Sequence, residues 1–288
     1  MKELKIVTWN LGFGIYPDYY AITGRQDSFQ NLFPVPRREV LNNVKGQIEV
    51  LEKINADVVL LQEVSKRNLA NYHVNQVRAL NKHFSNYSSS FVPSVNLPLL
   101  FVGGKFTLTR GESKSTPIKT NFKAETLFDN LIMRNKNSIL TRLPFIDKEL
   151  VLINIHKAPF ERQAELREKQ FRYKFDIALA EYDKGNYVII GGDWNMDMPL
   201  TELPGGYKSV GTKMPSDLLE TFESKGWKLA MAKEATIRCL EEPYSDKSVM
   251  HNIDGYLYSP NLEMYDVEAI QDFRYSDHCP VVAKVRAK

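Results

Sequence analysis

Short apolar runs that end abruptly in polar residues recur along the chain. Runs of this kind cover residues 4–9, 57–61, 151–155 and 187–190, and they are rich in valine, isoleucine and leucine. Continuous apolar runs of this length fit buried β-strands better than helices. Two further strands, 255–259 and 281–286, are predicted near the end of the chain, each after an irregular segment.

Apolar residues at helical spacing lie between the predicted strands. One helical face is formed by Val40, Leu41, Val44, Ile48 and Leu51, and another by Phe171, Phe175, Ala178 and Tyr182. A weaker helical pattern covers residues 69–84. Strands that alternate with helices predict a layered α/β domain. Because the chain shows no internal repeat and no convincing linker, we expect one domain over residues 1–288.

Two long stretches, 16–38 and 85–136, show no sustained hydrophobic period and contain several prolines and glycines. Structureless stretches longer than about 12–15 residues are usually functional or disordered. We therefore expect both stretches to form loops that contact the substrate.

Composition and charge exclude several classes of protein. A hydrophobic content of 43% and a charged content of 25% are typical of an ordinary globular protein. The net charge of +3 does not by itself indicate nucleic-acid binding, and two cysteines cannot form a disulfide framework or a four-ligand zinc site. No apolar run approaches the roughly 18 residues that span a bilayer, so we expect no stable membrane insertion. A strand-like run that starts at residue 4 leaves no room for a signal peptide, and we expect a cytoplasmic monomer, or a secreted protein if a leader was removed.

Polar residues of chemically useful types lie at the ends of the predicted strands. At or just past C-terminal strand ends lie Asn10, Glu63, His156, Asp193 and Asn195, whereas Asp254, Asp277 and His278 lie just before strands. The two groups meet at one edge if the last strands run antiparallel to the earlier ones. The pattern therefore predicts a mixed sheet and a single pocket, built from side chains that a rigid platform presents.

The residue types in this pocket suit metal-assisted hydrolysis of a phosphate ester. Its hard oxygen donors are Glu63, Asp193, Asp254 and Asp277. Carboxylates without cysteine favour Mg²⁺, with Mn²⁺ as an alternative, over zinc. Mg²⁺ takes only one or two protein carboxylates besides water and substrate oxygens, so the remaining acids can handle protons.

Spacing in the sequence indicates partners within the pocket. Neighbouring residues of an extended segment point to opposite faces, so Asp254 is better placed than Asp277 to fix the tautomer of His278. Asp193 and Asn195 are two positions apart and project from the same face, where one can activate water and the other can hold the nucleophile or a phosphate oxygen.

Each of these residues, taken alone, has a simpler explanation. An Asp or Asn after a strand is most often a turn former, and a lone histidine there is more often hydrogen-bonded than catalytic. Eight such residues at the edge that the strand pattern predicts favour a functional site.

Six short motifs carry a resemblance to a known family. They are Thr8-Trp9-Asn10, Leu61-Gln62-Glu63-Val64, Asn154-Ile155-His156 with Arg167 and Gln170 in the following helix, Gly192-Asp193-Trp194-Asn195, Asn252-Ile253-Asp254 and Ser276-Asp277-His278. In this order, and over nearly the whole chain, they resemble the motifs of the endonuclease/exonuclease/phosphatase superfamily, the deoxyribonuclease-like hydrolases.

The resemblance implies a fold and a set of roles. The fold would be a four-layer α/β sandwich with two packed mixed β-sheets flanked by helices. Glu63 would be the main Mg²⁺ ligand, with Asn10 and Asp277 close by. Asp193 and Asn195 would position and activate water, His278 paired with Asp254 would act at the phosphate, and His156 would donate to a phosphate oxygen.

The substrate class is less constrained by the sequence. The segment 103–123 contains five cations and one acid, and we expect it to form a flexible cationic arm. Its lysines Lys114, Lys119 and Lys123 are candidate contacts to the phosphate backbone of a nucleic acid or to anionic headgroups. An ordinary solvated hairpin is the alternative explanation. We expect a nuclease-type phosphodiesterase; a phosphatase or phospholipase C-type enzyme acting on inositol phosphates or sphingomyelin-like lipids, and a non-catalytic binding protein on the same fold, are the alternatives.

Overall fold

The computed structural model describes residues 3–15, 35–97, 99–120, 137–157, 164–199, 213–239, 245 and 248–288. Within these ranges the helices are α1 (Arg37–Ile54), α2 (Gln76–His83), α3 (Ala164–Tyr182) and α4 (Ser216–Ser224). The strands are β1 (Glu3–Asn10), β2 (Val58–Asn68), β3 (Tyr87–Leu97), β4 (Phe101–Arg110), β5 (Lys114–Ile118), β6 (Ser138–Phe145), β7 (Lys148–His156), β8 (Tyr187–Asp193), β9 (Lys228–Ala230), β10 (Ile237–Arg238), β11 (Met250–His251), β12 (Asp254–Tyr258), β13 (Leu262–Ala269) and β14 (Val281–Ala287).

Two mixed sheets of six strands form the centre of the fold. The first sheet has the order β13-β14-β1-β2-β4-β3, and the second has the order β5-β6-β7-β8-β12-β9. Each sheet contains one parallel pair, β1 with β2 and β7 with β8, among antiparallel neighbours. The late strands β14 and β12 run antiparallel to β1 and β8, which confirms the mixed arrangement expected from the sequence.

Three apolar layers hold the sheets and helices together. The layer between the sheets includes Leu60 of the first sheet with Leu152 and Ile189 of the second. Leu51 of α1 and Leu80 of α2 pack on the outer face of the first sheet, and Phe171 of α3 and Phe222 of α4 pack on the outer face of the second. The four-layer α/β sandwich is therefore confirmed.

Local sequence explains where α1 begins and ends. Pro36 caps the start of the helix in an extended conformation, with ψ of 148°, and its carbonyl oxygen accepts the N–H of Val40 at 3.2 Å. The helix ends at Asn55, which adopts a left-handed conformation with φ of 50° and donates its N–H to the carbonyl of Leu51. The apolar face between these ends packs on the first sheet.

The stretch after residue 85 differs from the loop that the sequence predicts. Much of it forms the antiparallel pair β3–β4, in which Gly104 lies against the partner strand. A Cβ at Gly104 would lie 2.1 Å from the carbonyl oxygen of Val92, so only glycine allows the strands to approach this closely. Lys105 is buried and donates to Ser94 and to the carbonyl oxygen of Asn137.

The expectation of a flexible cationic arm is therefore wrong for the described part of 103–123, which is largely β-strand. Prolines and glycines obscured the strand pattern there. The first predicted loop lies mostly outside the described residues, and so do residues 121–136 with Lys123.

A buried amide pair joins the two sheets. Gln62 of β2 donates its Nε2 to the Oδ1 of Asn154 on β7 at 2.9 Å. Asn154 in turn donates its Nδ2 to the carbonyl oxygens of Leu61 and Phe106, each at 3.1 Å. These contacts tie the second sheet to the backbone of the first, directly beneath the edge where the strands end.

No helix in the described parts of the chain is long and apolar enough to cross a membrane.

Candidate active site

Three site residues lie side by side on neighbouring strands of the second sheet. His156 of β7 is paired in register with Asp193 of β8, and Asp193 is paired with Asp254 of β12. Directly opposed residues on adjacent strands present their side chains on the same face of a sheet. Sheet register alone therefore brings one imidazole and two carboxylates together.

Asp193 contacts residues of both sheets. Its Oδ2 accepts a 3.0 Å hydrogen bond from Asn10 Nδ2 and lies 3.5 Å from His156 Nε2 and 3.9 Å from His278 Nε2. Its Oδ1 accepts the backbone N–H of Asn195 at 2.8 Å. The side chain is thus fixed by residues of both sheets.

Glu63 reaches the same cleft through an irregularity in β2. The pairing of β2 with β4 shifts register between residues 61 and 64, and Glu63 has a positive φ of 48°. Bulges of this kind re-aim a side chain. Glu63 Oε1 lies 3.7 Å from His156 Nε2, and its side chain is 21% exposed whereas those of His156 and Asp193 are buried. Glu63 is therefore the carboxylate most open to an incoming ligand.

His278 and Asp254 form a buried ion pair. Their Nδ1 and Oδ2 atoms are 2.8 Å apart. Burial alone lowers the pKa of His278, but the charges of Asp254, Asp277 and Asp193 outweigh it and raise that pKa to about 10. Burial also raises the pKa of Asp254, which the neighbouring imidazolium partly opposes. At neutral pH the imidazole is protonated, so it can stabilise negative charge or donate a proton.

Asp277 and Asn195 complete the expected set. Burial raises the pKa of Asp277, whose Oδ1 accepts a hydrogen bond from Ser276 Oγ at 3.3 Å. Ser276 Oγ also donates to the carbonyl oxygen of Asn10 at 2.7 Å, which links the Asp277 segment to β1. Asn195 has a φ of 47° and donates its Nδ2 to the carbonyl oxygen of Lys157, so it lies beside the end of β7.

The candidate substrate lysines are separated by the structure. Lys119 is exposed and comes directly after the last residue of β5. Strand pairing through β6 places this end of β5 at the same edge of the sheet as His156 at the end of β7. Lys114 is exposed at the opposite end of β5, paired with Arg142 and roughly 16 Å along the strand from Lys119. Only Lys119 of this pair lies at the edge where the site is formed.

Thr236 is a residue with a supporting role that the sequence did not indicate. Its Oγ1 accepts hydrogen bonds from the backbone N–H groups of Ile253 and Asp254, each at 3.1 Å. It thereby fixes the start of β12, and no spacing or motif marks it in the sequence. The indole of Trp9, which lies within a motif, donates to the carbonyl oxygen of His278 at 2.8 Å.

The donor set fits a hard divalent cation. Ligand atoms of Asp193, Asp254 and His278 lie within 4.8 Å of one another, but His278 and Asp254 are engaged in their ion pair. The partly exposed carboxylate of Glu63 reaches the same cleft and is better placed for a cation. Carboxylate oxygens predominate and the cleft residues named above include no thiolate, which is the donor chemistry that Mg²⁺ and Mn²⁺ prefer.

Comparison with known proteins identifies the family. A model of the Endonuclease/Exonuclease/phosphatase family matches residues 7–278. The chain belongs to this family. Membership supports a phosphoesterase activity and agrees with the resemblance drawn from the six motifs. No curated protein matches the sequence.

Solved structures with this fold share little sequence with the chain. An endonuclease/exonuclease/phosphatase from Beutenbergia cavernae is 15% identical, with a TM-score of 0.68 over 100% of this chain and 72% of that one. TDP2 from C. elegans is 17% identical, with a TM-score of 0.61 over 99% of this chain and 75% of that one. D. rerio TDP2 complexed with a single-strand DNA product is 15% identical, with a TM-score of 0.63 over the whole of both chains.

Proposed function

We propose that the protein is a Mg²⁺-dependent phosphodiesterase of the nuclease type. The observation that carries the proposal is the position of Asp193, whose carboxylate faces the amide of Asn10 and the imidazoles of His156 and His278. In this position the Asp193 carboxylate is suited to hold a water molecule next to a phosphorus atom. The two imidazoles are suited to contact the oxygens of the same phosphate.

Glu63, Asn10 and Asp277 would hold the cation. Glu63 offers the most exposed carboxylate, Asn10 a neutral amide oxygen, and Asp277 a carboxylate whose neighbour Ser276 is hydrogen-bonded to Asn10. A divalent cation held there would neutralise negative charge that develops on the phosphate group.

The chain's own residues would carry the proton and charge steps. Asp193 accepts the proton of the attacking water, and the Asn195 amide orients the same water or a phosphate oxygen. His278 is held as an imidazolium by Asp254 and stabilises the negative charge that develops at the phosphate. His156 donates a hydrogen bond to a second phosphate oxygen. The charges of Asp254, Asp277 and Asp193 outweigh the effect of burial and raise the pKa of His278 to about 10, which favours its charged form.

Nucleic acid is the substrate class that we propose first. The structural neighbour from D. rerio holds a single-strand DNA product. In this chain the exposed Lys119 at the same edge as His156 is suited to contact a phosphate next to the one that is cleaved.

A lipid headgroup is the second candidate, and one surface feature favours it. The turn between β3 and β4 exposes two leucines, Leu99 at 72% and Leu100 at 56%. Lys66 and Arg67 are exposed on the adjacent part of β2, beyond Glu63. Two exposed leucines flanked by cations, on the side of the cleft, suit an anionic membrane surface.

One assay separates these substrates. The purified protein is incubated with Mg²⁺ and, in parallel, with single-stranded DNA, duplex DNA, RNA, sphingomyelin vesicles and inositol phosphates. We expect cleavage of nucleic acid that requires Mg²⁺ and is lost in His278→Ala. Hydrolysis of sphingomyelin alone would show that the substrate is a lipid and not nucleic acid. In that case the double variant Leu99→Ser with Leu100→Ser should lower the rate, whereas the control Leu41→Ser on α1 should not. Absence of turnover on every substrate, with retained binding of one of them, would favour a non-catalytic binding protein.

A further inference from the structure

Two buried glutamines on different helices are hydrogen-bonded to each other. Gln47 lies in α1, and Gln76 is the first residue of α2. Both side chains are buried, and Gln76 Nε2 donates to Gln47 Oε1 at 3.0 Å. These two residues, the glutamine pair, belong to none of the six motifs and have no role in the site as described so far.

Gln47 binds the backbone next to two of the proposed cation ligands. Its Nε2 donates to the carbonyl oxygen of Leu11 at 2.8 Å and to the carbonyl oxygen of Tyr275 at 2.9 Å. Leu11 directly follows Asn10, and Tyr275 lies two residues before Asp277. A single side-chain amide therefore joins the segment that carries Asn10 to the segment that carries Asp277.

Gln76 extends this link to the third proposed ligand. Its Oε1 accepts the backbone N–H of Ser65 at 2.9 Å and the hydroxyl of Ser65 at 3.1 Å. Ser65 lies two residues after Glu63, just past the register shift that turns Glu63 towards the cleft. Hydrogen bonds thus run from Ser65 through the glutamine pair to Leu11 and Tyr275.

The position before Gln47 allows the segment of Tyr275 to approach α1. A Cβ at Gly46 would lie 2.3 Å from the ring of Tyr275, so this ring packs directly on the backbone of the helix. The close approach brings the carbonyl oxygen of Tyr275 within reach of Gln47, the next residue of the helix.

The contacts of Gln47 require an amide. The side chain supplies two N–H donors to two carbonyl oxygens and one acceptor to Gln76. A carboxylate has no N–H to donate, and an apolar side chain of the same length would remove all three bonds from a buried place. The glutamine pair therefore does more than fill space between the helices.

The three linked segments have different origins in the fold. Asn10 ends β1, Glu63 lies at the irregularity of β2, and Asp277 lies in the segment that leads to β14. Mg²⁺ demands near-ideal octahedral geometry, so its affinity depends on how well the ligands are spaced before it binds. Groups that orient ligands from outside the coordination sphere typically change metal affinity 10-fold to 100-fold.

We propose that the glutamine pair positions the three proposed cation ligands by holding their backbone segments in one arrangement, and thereby raises the affinity for Mg²⁺. The inference rests on the proposed function, in which the ligands are Asn10, Glu63 and Asp277. In this role neither glutamine contacts the cation or the substrate, so both are positioning residues.

The affinity for Mg²⁺ in the absence of substrate tests the proposal, by calorimetric titration of the full chain. Gln47→Met should lower the affinity about tenfold or more, because it releases the segments of both Leu11 and Tyr275. Gln76→Met keeps those two bonds and loses only the link to Ser65, so it should lower the affinity by a smaller factor. The double variant should lose less than the product of the single losses, since the two side chains act through one shared hydrogen bond.

Hydrogen exchange without Mg²⁺ shows whether the segments are coupled. In Gln76→Met, the backbone amides near Ser65 should exchange faster than in wild type, because their side-chain acceptor is gone. Amides near Leu11 and Tyr275 should also exchange faster, although Gln76 bonds to neither segment directly. Faster exchange near Ser65 alone would show that the glutamine pair does not couple the segments, and would overturn the proposal.

A buried amide elsewhere supplies the matched control. Asn186 lies at the opposite end of β8 from the site and donates its Nδ2 to Glu181 Oε2 at 3.1 Å. Asn186→Leu should lower the thermal midpoint, as the glutamine variants do, but leave the Mg²⁺ affinity unchanged. If it lowers that affinity as much as Gln47→Met, the effect is a general loss of stability and the proposal fails.

The titration separates failure of this inference from failure of the proposed function. Mg²⁺ binding by wild type that both folded glutamine variants retain would overturn the positioning role and leave the proposed function standing. Absence of Mg²⁺ binding in wild type would overturn the proposed function and this inference with it. If Gln47→Met does not fold, Gln76→Met at the start of α2 decides the question by the same two measurements.

Discussion

The indole Nε1 of Trp9 donates a 2.8 Å hydrogen bond to the backbone carbonyl oxygen of His278, across 269 positions of the sequence. The bond joins the C-terminal end of β1 to the segment that carries the charged imidazole. Trp9 thus fixes the backbone of His278, while the imidazole ring of His278 contacts Asp254. The aromatic residue of the Thr8-Trp9-Asn10 motif therefore positions a residue of the last motif.

The coupling between His278 and Asp254 predicts non-additive losses. His278→Ala and Asp254→Asn should each lower kcat by at least about 100-fold, the scale expected for the loss of a positioned acid–base group. Because the two side chains act as one ion pair, the double variant should lose less than the product of the single losses. The double-mutant cycle is measured by single-turnover rates on single-stranded DNA for wild type, the two single variants and the double variant. Full multiplicativity would show that the residues serve separate steps.

The exposed carboxylate of Glu63 predicts a separation of metal binding from folding. Glu63→Gln should weaken Mg²⁺ binding at least about tenfold, since an amide oxygen is a poorer ligand for a hard cation than a carboxylate. The thermal midpoint should stay close to that of wild type because the side chain faces the cleft. Calorimetric titration with Mg²⁺ measures the affinity. Glu268→Gln, at an exposed position of β13, is the matched control, and equal Mg²⁺ affinity in both variants would remove Glu63 from the ligand set.

The glycine that precedes Asp193 should tolerate no side chain. Gly192 has a φ of 146°, and a Cβ there would lie 2.1 Å from the carbonyl oxygen of Ile155. Gly192→Ala must therefore push β7 away from β8 at the pairing of His156 with Asp193, and we expect a loss of more than about 2 kcal/mol in the free energy of unfolding.

Gly111 provides the comparison for this experiment. It also has a positive φ, of 88°, but no heavy atom lies within 4 Å of the position that a Cβ would take, so Gly111→Ala should cost only the local strain of about 1 kcal/mol. Urea denaturation of both variants measures the difference. Similar losses in the two would show that contact with β7 is not the cause.

His251 Nδ1 lies 3.3 Å from Asp197 Oδ1. This pair predicts a stability that depends on pH. The pKa of His251 rises from 6.5 to about 9 on folding, so its contribution is fully present below about pH 6.5 and is lost as the pH rises through about 9. Wild type should exceed His251→Gln in free energy of unfolding by on the order of 1–2 kcal/mol at pH 6, after allowance for solvent screening. The difference should shrink towards pH 9.5. Urea denaturation of both proteins at pH 6 and pH 9.5 measures this difference in free energy of unfolding. A difference that grows as the pH rises would contradict the prediction.

The two exposed lysines at the ends of β5 predict different salt dependences. If Lys119 contacts a phosphate of single-stranded DNA, Lys119→Gln should reduce the slope of log K against log salt by about 0.7. Lys114→Gln, at the far end of the same strand, should leave the slope unchanged. Fluorescence anisotropy with a labelled oligonucleotide from low to moderate salt measures both. Equal slopes for wild type and Lys119→Gln would exclude this lysine as a phosphate contact.

The sequence predicted the parts of the fold in which local pattern and tertiary environment agree. Buried parallel strands such as β7 read as continuous apolar runs, and their polar ends marked the edge of the sheet. The pair β3–β4 was missed because its strands carry prolines and paired glycines and bury no regular alternation of side chains. Its pairing depends on the close approach at Gly104, which only tertiary structure reveals.

The same distinction applies to the candidate site. Motif order and strand ends predicted that His156, Asp193 and Asp254 would converge, and the sheet register brings them together. Thr236 could not have been found because its hydrogen bonds to the start of β12 join segments with no regular spacing. Lys114 and Lys119 looked equivalent in the sequence because charge alone does not tell which end of a strand lies near the cleft.

The buried amide pair of Gln62 and Asn154 has a consequence for how the molecule loses function. Asn10 and Glu63 come from one sheet and His156, Asp193 and Asp254 from the other, so neither sheet contains the site by itself. Sliding one sheet over the other by a single residue would break the Gln62–Asn154 bond and separate the two halves of the cleft. A partly unfolded state in which each sheet is intact but the two are no longer packed together would have no activity. The rate of turnover would therefore report on the packing of the two sheets against each other.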